Sequence, residues 1–224
     1  MQNKNLIILS IVTAFLFSLS INESNFAKGT ESNDYFFVSK MGSKGTDDGQ
    51  FDTPHTIAFD PSGNMYITDT KNARVQKFDS NGTFLTKWGS KGTDYGQFQG
   101  PEGIDVDSMS NVYVADTKNA RVQKFDSNGT FLTKWGTFGS NDGQFSRHVH
   151  GIVIDSSGNV YVTDRDNSNI QKFDNNGTFL TKWGSRGTGD GQFLELEDIE
   201  LNFFDKVYVA DRGTASIQIF TNVR

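Results

Sequence analysis

Apolar and polar residues alternate along this chain in short runs, and the runs recur. Between Gly103 and Trp135 four of them follow one another. Gly103–Val106 is apolar and alternating, Val112–Ala115 is β-branched and aromatic, Arg121–Phe125 sets Val and Phe against Gln and Lys, and Thr130–Trp135 closes the series. Runs of this length suit strands better than helices. Turn chemistry separates them, with Asp107-Ser108-Met109-Ser110 after the first run and Asn128-Gly129 before the last. The Asn-Gly pair is expected to supply the two positive φ angles of a tight hairpin. The pattern predicts a meander of four antiparallel strands.

The meander is repeated. Asp69–Gly89 reads DTKNARVQKFDSNGTFLTKWG, and Asp116–Gly136 has the same sequence without a change. Asp69, Asp116, Asp164 and Asp211 are spaced by 47, 48 and 47 residues, and Gln50, Gln97, Gln144 and Gln192 by 47, 47 and 48. Four units are present. A four-stranded sheet that is apolar on both faces needs cover on both, and stacking such sheets radially lets each cover the next. The expected fold is therefore all-β, a four-bladed β-propeller. Tyr35–Gly42 (YFFVSKMG) matches the last strand of a unit, with Met41 standing 47 residues before Trp88, while the final unit stops after Ile217–Phe220 with three strands. The N-terminal strand is expected to complete the last blade and close the ring as a monomer. Completion of a larger ring by dimerising is the other reading.

Composition agrees with one folded domain, placed at residues 35–224. Aromatic residues make up 13 % of the 224, with 20 Phe, so there is ample apolar surface to bury. The net charge of −6 argues against a nucleic-acid partner, whose affinity rests on Lys and Arg neutralising phosphates. The N-terminus differs from the rest. Lys4 precedes an uncharged, mostly apolar stretch from Leu6 to Ile21, followed by Asn22-Glu23-Ser24-Asn25 and Ala27. Residues 1–28 are expected to be a signal peptide, with an uncleaved N-terminal anchor as the alternative, which makes the protein secreted or cell-surface. No cysteine is present, so packing alone must close the fold.

The units resemble NHL repeats. The resemblance is carried by GIxxDxxGNVYVxD at Gly151–Asp164, by the VQKFDxNGTFLTKWG stretches and by the glycine-rich linkers ending GQF, and it covers about residues 35–222. It implies an NHL-type propeller and, for function, a protein- or RNA-binding scaffold. Similar propellers include gluconolactonase-like enzymes and peptidylglycine amidating lyases. The fourth unit departs from the pattern. Glu195–Leu201 replaces the usual Pro-x-Gly opening, and the Asn-x-Arg of the first two units is lost at Asn167–Asn169 and Thr214–Ser216.

Column by column, one set of polar residues invites chemistry. The innermost strands open with His55, Glu102, His150 and Glu197, spaced 47, 48 and 47. Around a narrow axis these four form a candidate site for a zinc-like divalent metal, with His148 as a spare ligand or supporting partner. The resemblance to amidating lyases, whose axial zinc is held by histidines at inner-strand starts, matches only His55 and His150. The alternative role for the four is to solvate the channel mouth or pair as imidazolium and carboxylate. The repeated aspartates are expected to cap turns and meet Arg74 or Arg121. Asn81-Gly82-Thr83, Asn128-Gly129-Thr130 and Asn176-Gly177-Thr178 are both hairpin turns and glycosylation sequons. The candidate binding face comprises Lys71, Asn72, Arg74, Lys118, Asn119, Arg121, Arg165 and Arg212, beside linkers carrying Lys44, Lys91 and Arg186. Its mixed charges suit a protein or a surface glycan. The leading functional expectation is a non-enzymatic binding scaffold; the alternative is a metal-dependent lyase or hydrolase at the axis.

Overall fold

The computed structural model describes residues 37–221. Four sheets succeed one another along the chain, each a simple antiparallel meander. Blade one holds β1 (Pro54–Phe59), β2 (Met65–Asp69), β3 (Arg74–Phe78) and β4 (Phe84–Trp88). Blade two holds β5 (Pro101–Val106), β6 (Val112–Asp116), β7 (Arg121–Phe125) and β8 (Phe131–Trp135). Blade three holds β9 (Val149–Ile154), β10 (Val160–Asp164), β11 (Asn169–Phe173) and β12 (Phe179–Trp183). A two-residue parallel pair, β13 (Ser185–Arg186) and β14 (Gln192–Phe193), folds the next linker. Blade four holds β15 (Leu196–Leu201), β16 (Val207–Asp211) and β17 (Ser216–Phe220). The molecule is a four-bladed, all-β propeller, with β1, β5, β9 and β15 lining a central channel of about 670 Å³.

Adjacent blades interlock through both faces of each sheet. Val75 and Tyr66 of blade one pack with Ile104, Val114 and Phe125 of blade two. Val122 and Tyr113 meet Ile152, Val162 and Phe173 in the same way, and Ile170 and Tyr161 meet Ile199, Val209 and Leu196. Trp88 on the outer strand spans the junction, with Tyr66 and Phe125 at 6.2 and 5.8 Å between ring centroids. Its indole lies flat over the next blade's hairpin. A Cβ at Gly129 would fall 2.5 Å from that ring, so only glycine fits there.

The hairpin itself differs from the expected tight turn. Only Gly129 takes a positive φ, at 86°; Asn128 does not. Asp126 Oδ1 instead accepts the N–H groups of Asn128 and Thr130, and the β7–β8 register slips by one between Lys124 and Phe125. An aspartate-capped turn with a bulge thus does the work assigned to two positive φ angles. Asp79 and Asp174 cap the equivalent hairpins.

Blade four has three strands among the described residues. The segment expected to complete it, Tyr35–Gly42, begins outside them, and its described part from Phe37 carries no ladder. Met41 packs with Phe51, Ile67 and Phe78 of blade one, the place that Trp88 occupies on blade two. The expected signal peptide at 1–28 lies outside the described residues. Among those described, no helix is long and apolar enough to cross a membrane.

Candidate functional site

Antiparallel order puts the starts of the innermost strands, the β2–β3 type loops and the long linkers at one end of the propeller. The linkers are bolted down by a buried aspartate and a glutamine that recur in each blade, joined by an arginine in the first two. Asp116 Oδ2 accepts Arg121 Nε at 2.7 Å and Asn119 Nδ2 at 2.8 Å, while Oδ1 accepts the Gln99 N–H. Arg121 then spends its remaining N–H groups on the carbonyls of Thr93, Asp94 and Gln97. Gln123 holds the same linker from both sides, donating to Gln97 O and accepting from Gly96 N–H. Asp69, Arg74, Asn72 and Gln76 repeat the arrangement in blade one. Burial pushes the Asp116 carboxyl up despite the donors around it.

This corrects the expected binding face. Arg74 and Arg121 are only 6 % and 4 % exposed and are framework, not surface; the Asn72 and Asn119 amides are likewise spent inside. Lys71 and Lys118 are exposed at the loop tips. Arg165 and Arg212 do reach the face, and the structure brings them together. Arg165 lies 3.6 Å from both Glu195 and Glu197, and Arg212 Nε meets Glu195 Oε2 at 2.9 Å. The hydrogen bond and charge of Arg212 hold the Glu195 carboxyl below its ordinary range. Beside this cluster opens a hollow of about 670 Å³, lined by His148, Arg165, Asp166, Arg186 and Glu195 with Gly213.

The axial column converges in part. Donor atoms of His55, Glu102 and His150 all lie within 4.8 Å of one another. His150 Nε2 is 3.1 Å from Glu102 Oε2, and the two imidazole centroids are 5.6 Å apart. Glu197 does not join them, because Arg165 draws its carboxylate toward the loop face. His148 is not a spare ligand: its Nδ1 pairs with Asp166 Oδ2 at 2.7 Å on the rim of the hollow. Two imidazoles and a carboxylate are a donor set that suits zinc or a similar ion. Tetrahedral ligation needs donors ~3.4 Å apart, so the trio has to contract slightly around an ion.

The NHL repeat family matches residues 51–78, 98–125 and 147–173, one match on each of the first three blades. The chain is an NHL-repeat β-propeller. No curated protein matches the NHL chain's sequence. Solved structures similar to it include streptogramin B lyase (18 % identity, TM-score 0.59, 75 % of this chain and 51 % of that one). Another is the nidogen/laminin complex (21 %, TM-score 0.58, 75 % and 60 %). A third is virginiamycin B lyase from Staphylococcus aureus (13 %, TM-score 0.55, 75 % and 55 %). At such identities these likenesses establish the fold alone. The NHL chain spans about half the length of the structures it matches.

Inside the channel of the NHL propeller sit two acids outside the repeated polar columns. Burial pushes Asp105 up to about 6, with the charge of Glu200 adding to the effect, and Glu200 is itself raised. They share a column with Ala58 and Val153, so no repetition marks them in the sequence.

Proposed function

We propose that this NHL propeller is an exported binding scaffold whose loop face recognises a protein or a surface glycan. The hollow beside Arg165, Arg186 and His148 carries the reading. It offers donors and two carboxylates within one concavity, on linkers held by the glutamine bonds that recur from blade to blade, so the surface is preorganised and little entropy is lost on binding. Export is supported by Lys4 and the uncharged stretch that follows it. The test is binding of the purified chain to an array of glycans and purified surface proteins. Arg165→Ala with Arg186→Ala is expected to abolish a saturable signal that Leu132→Ala, on an outer strand, retains. Equal loss in both variants, or no saturable signal, overturns the proposal.

The convergence of His55, Glu102 and His150 favours a second reading, a divalent metal at the channel mouth. Cobalt(II) titration reads this directly. Visible absorption bands of a nitrogen and oxygen site, lost in His55→Ala with His150→Ala, support it, and a featureless titration of the folded wild type removes it. A bound ion polarises a carbonyl or lowers the pKa of a bound water. The residues that would hold it are those three, with Glu197 left to pair with Arg165.

A further inference from the structure

Three of the four places where blades can meet are packed alike; the fourth is not. The innermost strand of each blade presents one isoleucine to the blade before it. Ile104, Ile152 and Ile199 are at most 7 % exposed, whereas Ile57 of blade one is 54 % exposed. The third strand of each blade presents one β-branched residue to the blade after it. Val75, Val122 and Ile170 are fully buried, whereas Ile217 of blade four is 62 % exposed. Phe59 and Ile219 are more than half exposed on the same two faces.

The residues on blade four have also changed character. Lys77 and Lys124 reach across their junctions to donate to Ser127 O and Asn175 O of the next blade's hairpin. The equivalent residue in blade four is Ile219, so the polar tie is replaced by apolar surface. Met41, on blade one, already fills the place where an outer-strand tryptophan of a preceding blade would rest. Blade one is therefore shaped to receive a preceding blade, and blade four is shaped to be followed by one. The two faces are the halves of a junction that the chain builds three times within itself.

We propose that a second copy of this chain occupies both faces, blade four of each copy packing on blade one of the other about a shared two-fold axis. The match is built in, because each face is a repeat of one that already pairs in the structure. A 180° rotation about the channel axis then closes a ring with no face left over. Contiguous exposed apolar surface of this kind is rare on proteins that act alone. A partnership of four blades with four also accords with solved relatives about twice the length that this chain spans. This is the dimer-completed ring that the sequence offers as the other reading beside a monomer.

Light scattering on the purified chain tests the proposal. The expected mass is that of two chains, reduced to one by Ile57→Lys or by Ile217→Lys with circular dichroism unchanged, and left at two by Leu132→Lys. The chain has no cysteine, so a second probe is clean. Phe59→Cys with Ile219→Cys places one thiol on each face, and a short bis-maleimide is expected to give a covalent two-chain product. A wild type with the mass of one chain, a mass above two, or a crosslink confined within one chain each overturns the proposal.

Discussion

Blade two and blade four are built on the same plan and have been put to different uses. In blade two every residue of the middle strands is buried, and Arg121 and Lys124 are spent on the backbone of the neighbouring linker and hairpin. In blade four the Arg121 position is Ser216, the Lys124 position is Ile219, and the Thr117 position, whose hydroxyl donates to Val149 O in blade two, is Arg212 on the surface. Repetition marks the framework, and departure from repetition marks the surface available for contacts. The hollow and the ion cluster lie where the copies cease to agree.

The largest expected effect tests the framework half of that statement. Asp116→Ala strips the partner from a buried guanidinium and is expected to cost about 3–5 kcal/mol. Asp211→Ala, in blade four, removes an acceptor for the N–H groups of Leu194 and Glu195 with no arginine to strand, and is expected to cost about 1–2 kcal/mol. Urea midpoints read both, and equal losses would break the distinction between the blades.

A smaller effect concerns how blade two is clasped by the next hairpin. Gly177→Ala places a Cβ 2.5 Å from the Trp135 ring at a φ of +87°, and is expected to cost about 2–4 kcal/mol. Gly143→Ala has φ +74° with nothing within 4 Å, so about 1 kcal/mol of backbone strain is all it should lose. Thermal unfolding of the pair isolates the contact with the indole from the cost of the dihedral.

The smallest effect is a pH dependence inside the channel, where the charge of Glu200 on blade four reaches Asp105 on blade two. Asp105 has a folded pKa of about 6, above its ordinary 3.8, so the folded state holds the extra proton between those values. Stability from this group is therefore greatest at the acid end and falls as pH rises from about 4 through about 6. Asp105→Asn is expected to remove the fall, gaining about 1 kcal/mol over wild type at pH 7 and nothing at pH 4, since one side of the residue is open to water. Parallel unfolding curves at the two pH values decide it; a constant offset would assign the acid no titration in this range.

Most of the fold was legible because its signals are local and repeated. The four strands of the second unit were placed within two residues of β5 to β8, and the Asp116–Arg121 pair followed from spacing. Legibility ended where burial decides. Arg74 and Arg121 look like surface residues in a sequence, and only the depth of the Asp pocket shows that they are inside. Gln76 and Gln123 looked like the polar side of a strand and are linker clamps, which their recurrence in every unit could have revealed. Glu197 was placed in the axial set by periodicity alone, and the competing arginine at 165 comes from a different column. Asp105 leaves no mark in the sequence, because its column holds Ala, Asp, Val and Glu, which share nothing.

The bonds of each linker have a bearing on how such a chain comes into being. Arg121 reaches back only 24 to 28 residues, and Lys77 reaches forward 50, so nearly every partner is in the same or the adjoining unit. Nothing within the stack must wait for a distant segment to be synthesised. A nascent polypeptide can lay down one layer, then use it as the template for the next, at intervals of about 47 residues.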